Sequence, residues 1–196
     1  VEGPVVRDLE ASFDAMERLA PFTAAAVNAF RHRVQEPPPV SGDDGQPVRL
    51  LLGGPALRRG RLQRQLRMDL QSAREVAVVS GYFLPPWNMR RAVRRCLKNG
   101  GKVRLLLAGR SDVPLARLAA ERLYPLLLRD GVALHEYRPQ ILHAKMLTLD
   151  GLSYVGSCNL DRRSLHINFE LLLRLDWPEL AEDARRWCDA AFARSR

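Results

Sequence analysis

Six polar residues in the last third of the sequence have types and spacing suited to chemistry. They form three pairs whose members are two positions apart: His143 and Lys145, Ser157 and Asn159, and Asn168 and Glu170. On an extended strand, side chains two apart point to the same face and lie about 7 Å from each other. His143 and Lys145 share their predicted face with apolar residues, where burial penalises charge. Such a pair indicates a site rather than ordinary packing.

A phosphoryl group is the natural common ligand of these residue types. The ammonium of Lys145 and the amide side chains would bind its non-bridging oxygens and oppose the charge that develops there. A carboxylate such as Glu170 would orient the imidazole of His143 and fix its tautomer. One ring nitrogen would then attack phosphorus or protonate a leaving oxygen. This set requires no metal, and we expect no cofactor.

Composition describes a folded protein with a basic surface. The 196 residues are 46% hydrophobic and 27% charged, and 31 Lys plus Arg, of which three are lysines, outnumber 22 Asp plus Glu, for a net charge of +9. Such a charge favours phosphate-bearing partners, either nucleic acid or anionic lipid headgroups, without choosing between them.

No apolar run approaches the roughly 20 residues that span a bilayer, so any membrane contact is expected to be peripheral or supplied by residues outside this chain. Three widely spaced cysteines indicate reduced thiols in a cytosolic setting and neither disulfides nor zinc.

Hydrophobic patterning predicts an α/β fold in which buried strands alternate with helices. We expect strands at 48–52, 76–80, 102–108, 132–137, 141–150, 153–156 and 167–176. We expect helices at 62–73, 87–98, 114–129 and 178–193, with Pro125 splitting or kinking the third. An amphipathic helix at 4–19 and an apolar segment at 21–34 precede a stretch rich in proline and glycine at 36–47, which is typical of an exposed connection. If the last three strands are neighbours, their polar pairs converge at one sheet edge.

The segments "HAKMLTLDG", "GSCNLDRRS" and "NFE" resemble the phospholipase D superfamily, whose signature is H-x-K-x4-D followed by G-S-x-N. The signature matches at His143, Lys145, Asp150, Gly156, Ser157 and Asn159. Upstream, the stretch 80–112, "SGYFLPPWNMRRAVRRCLKNGGKVRLLLAGRSD", is similar to the bacterial cardiolipin synthase branch. The resemblance covers nearly the whole chain.

The resemblance implies a phospholipase D-like mixed sheet flanked by helices and a phosphatidyltransferase that works without metal through a phosphohistidine. His143 would be the nucleophile or the general acid and base, and Lys145 and Asn159 would bind phosphate. Ser157 would be a supporting donor and Glu170 would orient His143. Asp150 is carried over as a member of the catalytic motif, with a supporting or structural part expected.

Lipid enzymes of this superfamily carry two such motifs, one in each half, whereas this sequence carries one. The resemblance therefore implies a helical tail of a preceding half at 1–36, a linker at 37–47 and a catalytic half-domain at 48–196. A second half or a homodimer would complete the site. The implied partners are an anionic phospholipid substrate and a membrane surface, with a cytoplasmic location peripheral to the inner membrane.

Other interpretations stay open for the function and for single residues. The chain could be a dimeric nuclease with the same chemistry, or a catalytically silent partner half. Asp150 with Gly151 is also a hairpin signal, and Ser157 and Asn159 are also common turn residues. The basic run at 90–104 could face lipid headgroups or could be a solvated arginine face, and the segment at 82–87 could line a lipid entrance or pack at a strand end.

Overall fold

The computed structural model describes residues 5–17, 40–41, 47–54, 61–110 and 113–196. The helices are α1 (Val5–Glu17), α2 (Arg61–Ser72), α3 (Trp87–Lys98), α4 (Pro114–Glu121), α5 (Tyr124–Arg129), α6 (Arg162–His166) and α7 (Pro178–Ala193). The strands are β1 (Val40–Ser41), β2 (Pro47–Gly53), β3 (Glu75–Ser80), β4 (Phe83–Leu84), β5 (Lys102–Ala108), β6 (Ala133–Tyr137), β7 (Lys145–Leu149), β8 (Leu152–Gly156), β9 (Leu160–Asp161) and β10 (Glu170–Leu175). The predicted α/β class is confirmed.

Most of the strands build one mixed sheet. Within the described ranges its order is β1-β2-β10-β8-β7-β3-β5-β6, and β4 and β9 form a separate small pair. Strands β3, β5 and β6 run parallel to their neighbours in that group, whereas β7, β8, β10, β2 and β1 pair antiparallel. The last three predicted strands are consequently neighbours, with β8 between β7 and β10.

Helices cover both faces of the sheet. Successive side chains of its central strands point to opposite faces and are apolar on both, so both faces must be buried. On β3, Val76 and Val78 belong to a core packed with α2, α3 and α5, while Ala77 and Val79 belong to a second core on the side of α7. β5 alternates in the same way, with Leu105 on the first side and Leu106 on the second. Both faces of the central strands are therefore buried, as continuous apolar runs predict.

Glycine and proline end the helices where the sequence indicates. α3 stops at Lys98, and the next residues turn through Gly100, whose φ of 82° lies in the left-handed region that favours glycine. The predicted helix at 114–129 is divided into α4 and α5 near Pro125. These predictions are confirmed.

Two predicted strands are shorter in the structure, and one helix between them was not predicted. The strand expected at 141–150 begins only at Lys145, because both neighbours, β3 and β8, end at that level and leave residues 141–144 unpaired. The strand expected at 167–176 begins at Glu170. Residues 167 and 168 instead close α6 by donating to the carbonyl of Arg163. Asp161 caps α6 by accepting from the amide of Ser164 at 2.8 Å.

Parts of the predicted organisation lie at or beyond the limits of the described residues. The helix predicted at 4–19 is seen as α1, whereas the apolar segment at 21–34 lies outside those residues. Within the stretch predicted as a linker, β1 pairs antiparallel with β2. In the part of the chain that the structure describes, no helix has the length and apolar character needed to cross a membrane.

A buried polar cluster ties α2 to the sheet. The Tyr154 hydroxyl donates to Asp69 Oδ2 at 2.5 Å, and Arg174 Nε donates to the same oxygen at 2.8 Å. Tyr154 is fully buried, so its hydroxyl depends on this acceptor. Burial, and then the bond to Asp69, raises the pKa of the Tyr154 phenol.

We expect the free energy of unfolding to fall steeply in alkaline solution. Burial, followed by nearby Glu136, raises the pKa of Tyr124 to about 12, and burial raises the pKa of the Cys188 thiol to about 11. The pKa values of Tyr154 and Cys158 are raised by burial as well. Between the ordinary and the raised pKa the unfolded chain binds fewer protons than the folded one, so stability falls by about 1.4 kcal/mol per pH unit for each such group.

Urea titrations from pH 7 to 11 under reducing conditions measure this loss, which should begin near the ordinary thiol pKa of about 9. The Tyr154→Phe variant, with one titrating group fewer, should be less stable at pH 7 and lose less as the pH rises. Equal stability at pH 7 and 11 would contradict the expectation.

Candidate active site

The candidate residues gather at one edge of the sheet, where neighbouring strands start or stop. This edge holds the last residue of β3, Ser80, the first of β7, Lys145, the last of β8, Gly156, and the first of β10, Glu170. Ser80 lies directly opposite Lys145 in the β3–β7 register. Both continue the side-chain row of Val78 and Leu147, so they point to the face covered by α2 and α3.

His143 and Lys145 are in contact. The Lys145 ammonium lies 3.0 Å from His143 Nδ1 and donates to the His143 carbonyl at 2.6 Å. An ammonium can only donate, so Nδ1 is the acceptor and a neutral ring carries its proton at Nε2. The His143 side chain is exposed and that of Lys145 is half-buried, so the pair is open to a ligand.

Asn159 is held beside them by the end of β3. Its Oδ1 accepts from the Tyr82 amide at 3.3 Å and lies 3.3 Å from Ser80 Oγ. The residue is only 8% exposed, so these contacts fix the amide plane. Because the oxygen faces β3, the two N–H bonds of the side chain point the other way and are oriented for an acceptor from outside.

Gly81 allows these parts to meet. A Cβ at this position would lie 2.8 Å from the Leu142 carbonyl, 3.7 Å from His143 Cα and 3.8 Å from Asn159 Oδ1. A side chain would push the turn away from the backbone that carries the imidazole. The turn after β3 is thus in contact with both the histidine segment and the asparagine.

Ser157, Asn168 and Glu170 form a second cluster where β8 ends and β10 begins. The Ser157 hydroxyl donates to Glu170 Oε2 at 2.5 Å, and Asn168 Nδ2 donates to Oε1 at 3.2 Å. Glu170 was expected to orient His143. Among the described residues its two carboxylate oxygens are instead bonded to Ser157 and Asn168, and β8 separates β10 from β7. Its observed contacts position those two side chains.

Asp150 lies at the opposite end of β7 from Lys145. Its carboxylate accepts from the amide of Arg74 at 3.1 Å and from that of Glu75 at 2.8 Å. Its own φ of 53° is in the left-handed region, which an Asp-Gly hairpin turn uses. Five strand residues, about 16 Å, separate it from the His143 side of the site. These contacts give Asp150 a structural part, because they anchor the β7–β8 turn to the start of β3.

The sequence analysis quoted residues 80–82 only within the stretch 80–112 and missed their contact with Asn159. A buried apolar strand ending in Ser-Gly was a usable signal, because parallel strands of α/β sheets commonly end at ligand sites. The other candidate residues could be recognised from the spacing within their own segments. Within the ranges the structure describes, no group of three or more His, Cys, Asp or Glu residues is arranged to hold a metal ion.

Comparison with known proteins decides the family. The model of the family described as "Cardiolipin synthase, PLD-like domain" matches residues 66–191, well over half of the chain. The chain belongs to the phospholipase D-like family. It is 34% identical over 172 residues to cardiolipin synthase B of Escherichia coli (strain K12), covering 87% of this chain and 41% of that protein. It is 36% identical over 138 residues to a cardiolipin synthase of Geobacillus thermodenitrificans, covering 68% of this chain and 27% of that protein.

Solved structures agree on the phospholipase D-like fold. The phospholipase D family member Nuc from Salmonella typhimurium superposes with a TM-score of 0.64 at 20% identity, covering 76% of this chain and 97% of Nuc. Phosphatidylserine synthase of Haemophilus influenzae Rd KW20 gives a TM-score of 0.66 at 14% identity, covering 88% of this chain and 46% of that one. The predicted fold is confirmed. The chain spans less than half the length of the two cardiolipin synthases.

Gly156 of this phospholipase D-like domain is required by the close approach of β8 to β10. A Cβ there would lie 2.0 Å from the Leu171 carbonyl oxygen, which also accepts from the amide of Ser157 at 2.9 Å. A side chain at position 156 would therefore separate the two strands at the level where Ser157 meets Glu170.

We expect Gly156→Ala to cost about 3 kcal/mol or more of stability, since its Cβ meets backbone, and such overpacking has no flexible neighbour to relieve it. Gly151→Ala is the matched control at the other end of β8. Its Cβ would have only ordinary contacts, 3.9 Å from Pro178, so a change below about 1 kcal/mol is expected. Chemical denaturation of both variants measures the difference, and equal stabilities would contradict the close approach.

Removing the Asp150 carboxylate should lower stability through the two backbone amides that it satisfies. We expect Asp150→Ala to lose about 1–3 kcal/mol, because these N–H groups lose their acceptor. Asp150→Asn keeps an acceptor oxygen and tolerates a positive φ, so it should lose less. Thermal and urea unfolding test the order. If both variants are as stable as the parent, Asp150 does not anchor the turn.

Proposed function

We propose that residues 48–196 form a catalytic half of a cardiolipin synthase-type phosphatidyltransferase, with His143, Lys145 and Asn159 as the groups that act on phosphate. The 3.0 Å contact between Lys145 Nζ and His143 Nδ1, next to the fixed amide of Asn159, carries this proposal. It joins an exposed imidazole, a half-buried cation and the two N–H donors of a side chain that is only 8% exposed. The family match to cardiolipin synthases supports the lipid substrate.

The proposed reaction passes through two displacements at phosphorus. A ring nitrogen of His143 attacks the phosphodiester of an anionic phospholipid, the P–O bond to the leaving alcohol breaks, and that alcohol takes a proton from an acid supplied by the second motif. The acceptor hydroxyl of another phospholipid then attacks the phosphohistidine, loses its proton to the same group and frees the imidazole. Each displacement places extra negative charge on the non-bridging oxygens.

The cation and the amide oppose that charge. Phosphate oxygens are strong acceptors for an ammonium, so a bound substrate would compete with the His143 ring for Lys145. Moving the ammonium from Nδ1 to the phosphate frees the ring nitrogen for proton transfer or attack. Asn159 would donate its two N–H groups from the other side. Ser157, bonded to Glu170, would support this wall of the site.

Completion of the site by a second motif follows from the number of groups required. A double displacement needs a nucleophile and a separate acid or base, and this chain carries one matching histidine motif. We propose that another half or a second copy of this chain supplies the other. Such a protein would act from the cytoplasmic side, peripheral to the inner membrane.

A nuclease that applies the same chemistry to the phosphodiesters of DNA is the second candidate. The net charge of +9 is compatible with it, because a basic surface attracts nucleic acid as well as lipid. A silent partner half, which would bind lipid without turnover, is the third.

Product analysis distinguishes the three candidates. The protein is incubated with headgroup-labelled phosphatidylglycerol, and separately with single- and double-stranded DNA, and the products are separated. We expect glycerol release and a lipid carrying two phosphates, with both lost in His143→Ala. Lys145→Met should lower the rate about 10²–10³-fold, the usual effect of removing one group that stabilises transition-state charge.

The control variant is His135→Gln, whose ring packs on Phe192 at the far side of the sheet. It should retain the activity. DNA cleavage with inert lipid would replace the transferase by the nuclease. A lack of turnover on every substrate would leave this chain as the silent half.

A further inference from the structure

Helix α3 presents a basic surface that the proposed reaction does not use. Its members are Trp87, Arg90, Arg91, Arg95 and Lys98, which we call the α3 surface. Positions 87, 91, 95 and 98 recur every three or four residues and therefore share one side of the helix. Together with Leu126 of α5 they line an open cavity of about 560 Å³.

The charges of the α3 surface are not neutralised within the described part of the chain. Arg94, next to them, pairs with Asp130 at 2.5 Å. No carboxylate of the described residues lies within ion-pair distance of the four cationic members. The Nε of Arg90 is buried there without a hydrogen-bond partner. Burial keeps that nitrogen away from an outside ligand, so any such contact is left to the terminal nitrogens of this half-buried side chain.

Exposed apolar side chains accompany these cations. Trp87 is 61% exposed, and the guanidinium of Arg91 lies 5.3 Å above its ring. Helix α4, which packs against the strand that leads into α3, exposes Leu115 by 78% and Leu118 by 58%. Tryptophan could stack on bases, but exposed leucines have no such use. Cations with tryptophan and leucine match the phosphates and acyl chains of a lipid surface.

We propose that the α3 surface docks the protein on an anionic phospholipid bilayer. The guanidinium groups of Arg90, Arg91 and Arg95 contact lipid phosphates, and Trp87 sits at the boundary between headgroups and acyl chains. This inference rests on the proposed function, which places the protein at a membrane, and names the face that meets it; docking itself requires no turnover and no second motif. It concerns a surface distinct from the His143 site.

The chain path connects this surface to the site. The strand β4 pairs with β9, which directly follows Asn159, and Trp87 lies three residues after β4. The Trp87 end of α3 is thus near the sheet edge that carries the candidate residues, while Lys98 is a helix length away. Docking through Trp87 would hold that edge close to the bilayer.

Vesicle co-sedimentation tests the proposal. The protein is mixed with vesicles of phosphatidylcholine containing 30 mol% phosphatidylglycerol, on the order of the anionic content of a charged leaflet, and with phosphatidylcholine alone. We expect binding to the first only, weakened by salt. The double variant Arg91→Gln/Arg95→Gln should bind about thirtyfold more weakly. Trp87→Ala should weaken binding at high salt too, where the apolar part dominates.

Matched controls lie on α7 and at its C-terminal end, on the other face of the sheet. Arg186→Gln/Arg194→Gln removes the same charge, and Trp187→Ala removes a tryptophan that is 45% exposed. Both should bind like the parent. Circular dichroism checks the folding of every variant.

Three outcomes would overturn the docking proposal: no binding to the anionic vesicles, equal losses in the α3 and α7 variants, or single-stranded DNA that displaces the vesicles at equal phosphate concentration. The last would indicate a nucleic-acid surface instead.

Discussion

The pairing of β3 with β7 is the constraint on which the site depends. It sets Ser80 opposite Lys145 and ends there, so that the next residues on both strands leave the sheet together. A shift of one residue would turn the Lys145 side chain to the face of α7, where Val79 and Met146 pack. Core packing on both faces opposes this shift. After it, the side chains that fit the core under α2 and α3 would face α7, and those that fit the core under α7 would face α2 and α3. Core packing thereby fixes the position of the ammonium.

Around that pair, buried polar groups hold the backbone and leave the imidazole exposed and the cation half-buried. Asn159 and Glu170 are each only 8% exposed, and each has its oxygens occupied by neighbouring donors. A buried carboxylate is tolerated when it is hydrogen-bonded in this way. The groups that would meet a substrate are therefore supported by side chains that do not themselves move into solvent. This arrangement is a form of preorganisation, in which little ordering is left to be done when a ligand binds.

The sequence predicted the elements that depend on local patterning and missed those that depend on distant backbone. Continuous apolar strands, Gly100 after α3 and Pro125 inside a helical pattern are local signals, and the structure follows each of them. The start of β7 at Lys145 depends on where β3 and β8 end, which no local pattern contains. The same holds for Asp150, whose carboxylate bonds to amides 75 and 76 residues away. Helix α6 did have a local signal in Asp161, which apolar periodicity overlooked.

The sequence showed the pairs of polar residues two positions apart, but it did not show which distant residues each of them contacts. Lys145 and His143 are close in sequence, so their contact could be anticipated. Predicting the bond of Ser157 to Glu170 required the knowledge that β8 and β10 are adjacent. Predicting the close packing of Gly81 on Leu142 required the course of the turn after β3.

The three cysteines can report on the two helical layers of the fold. All are buried and free, with Cys96 and Cys158 in the core beneath α2 and α3 and Cys188 beneath α7. Only an exposed thiolate reacts with an alkylating reagent. The alkylation rate of each cysteine would therefore report how often the helices that cover it move away from the sheet.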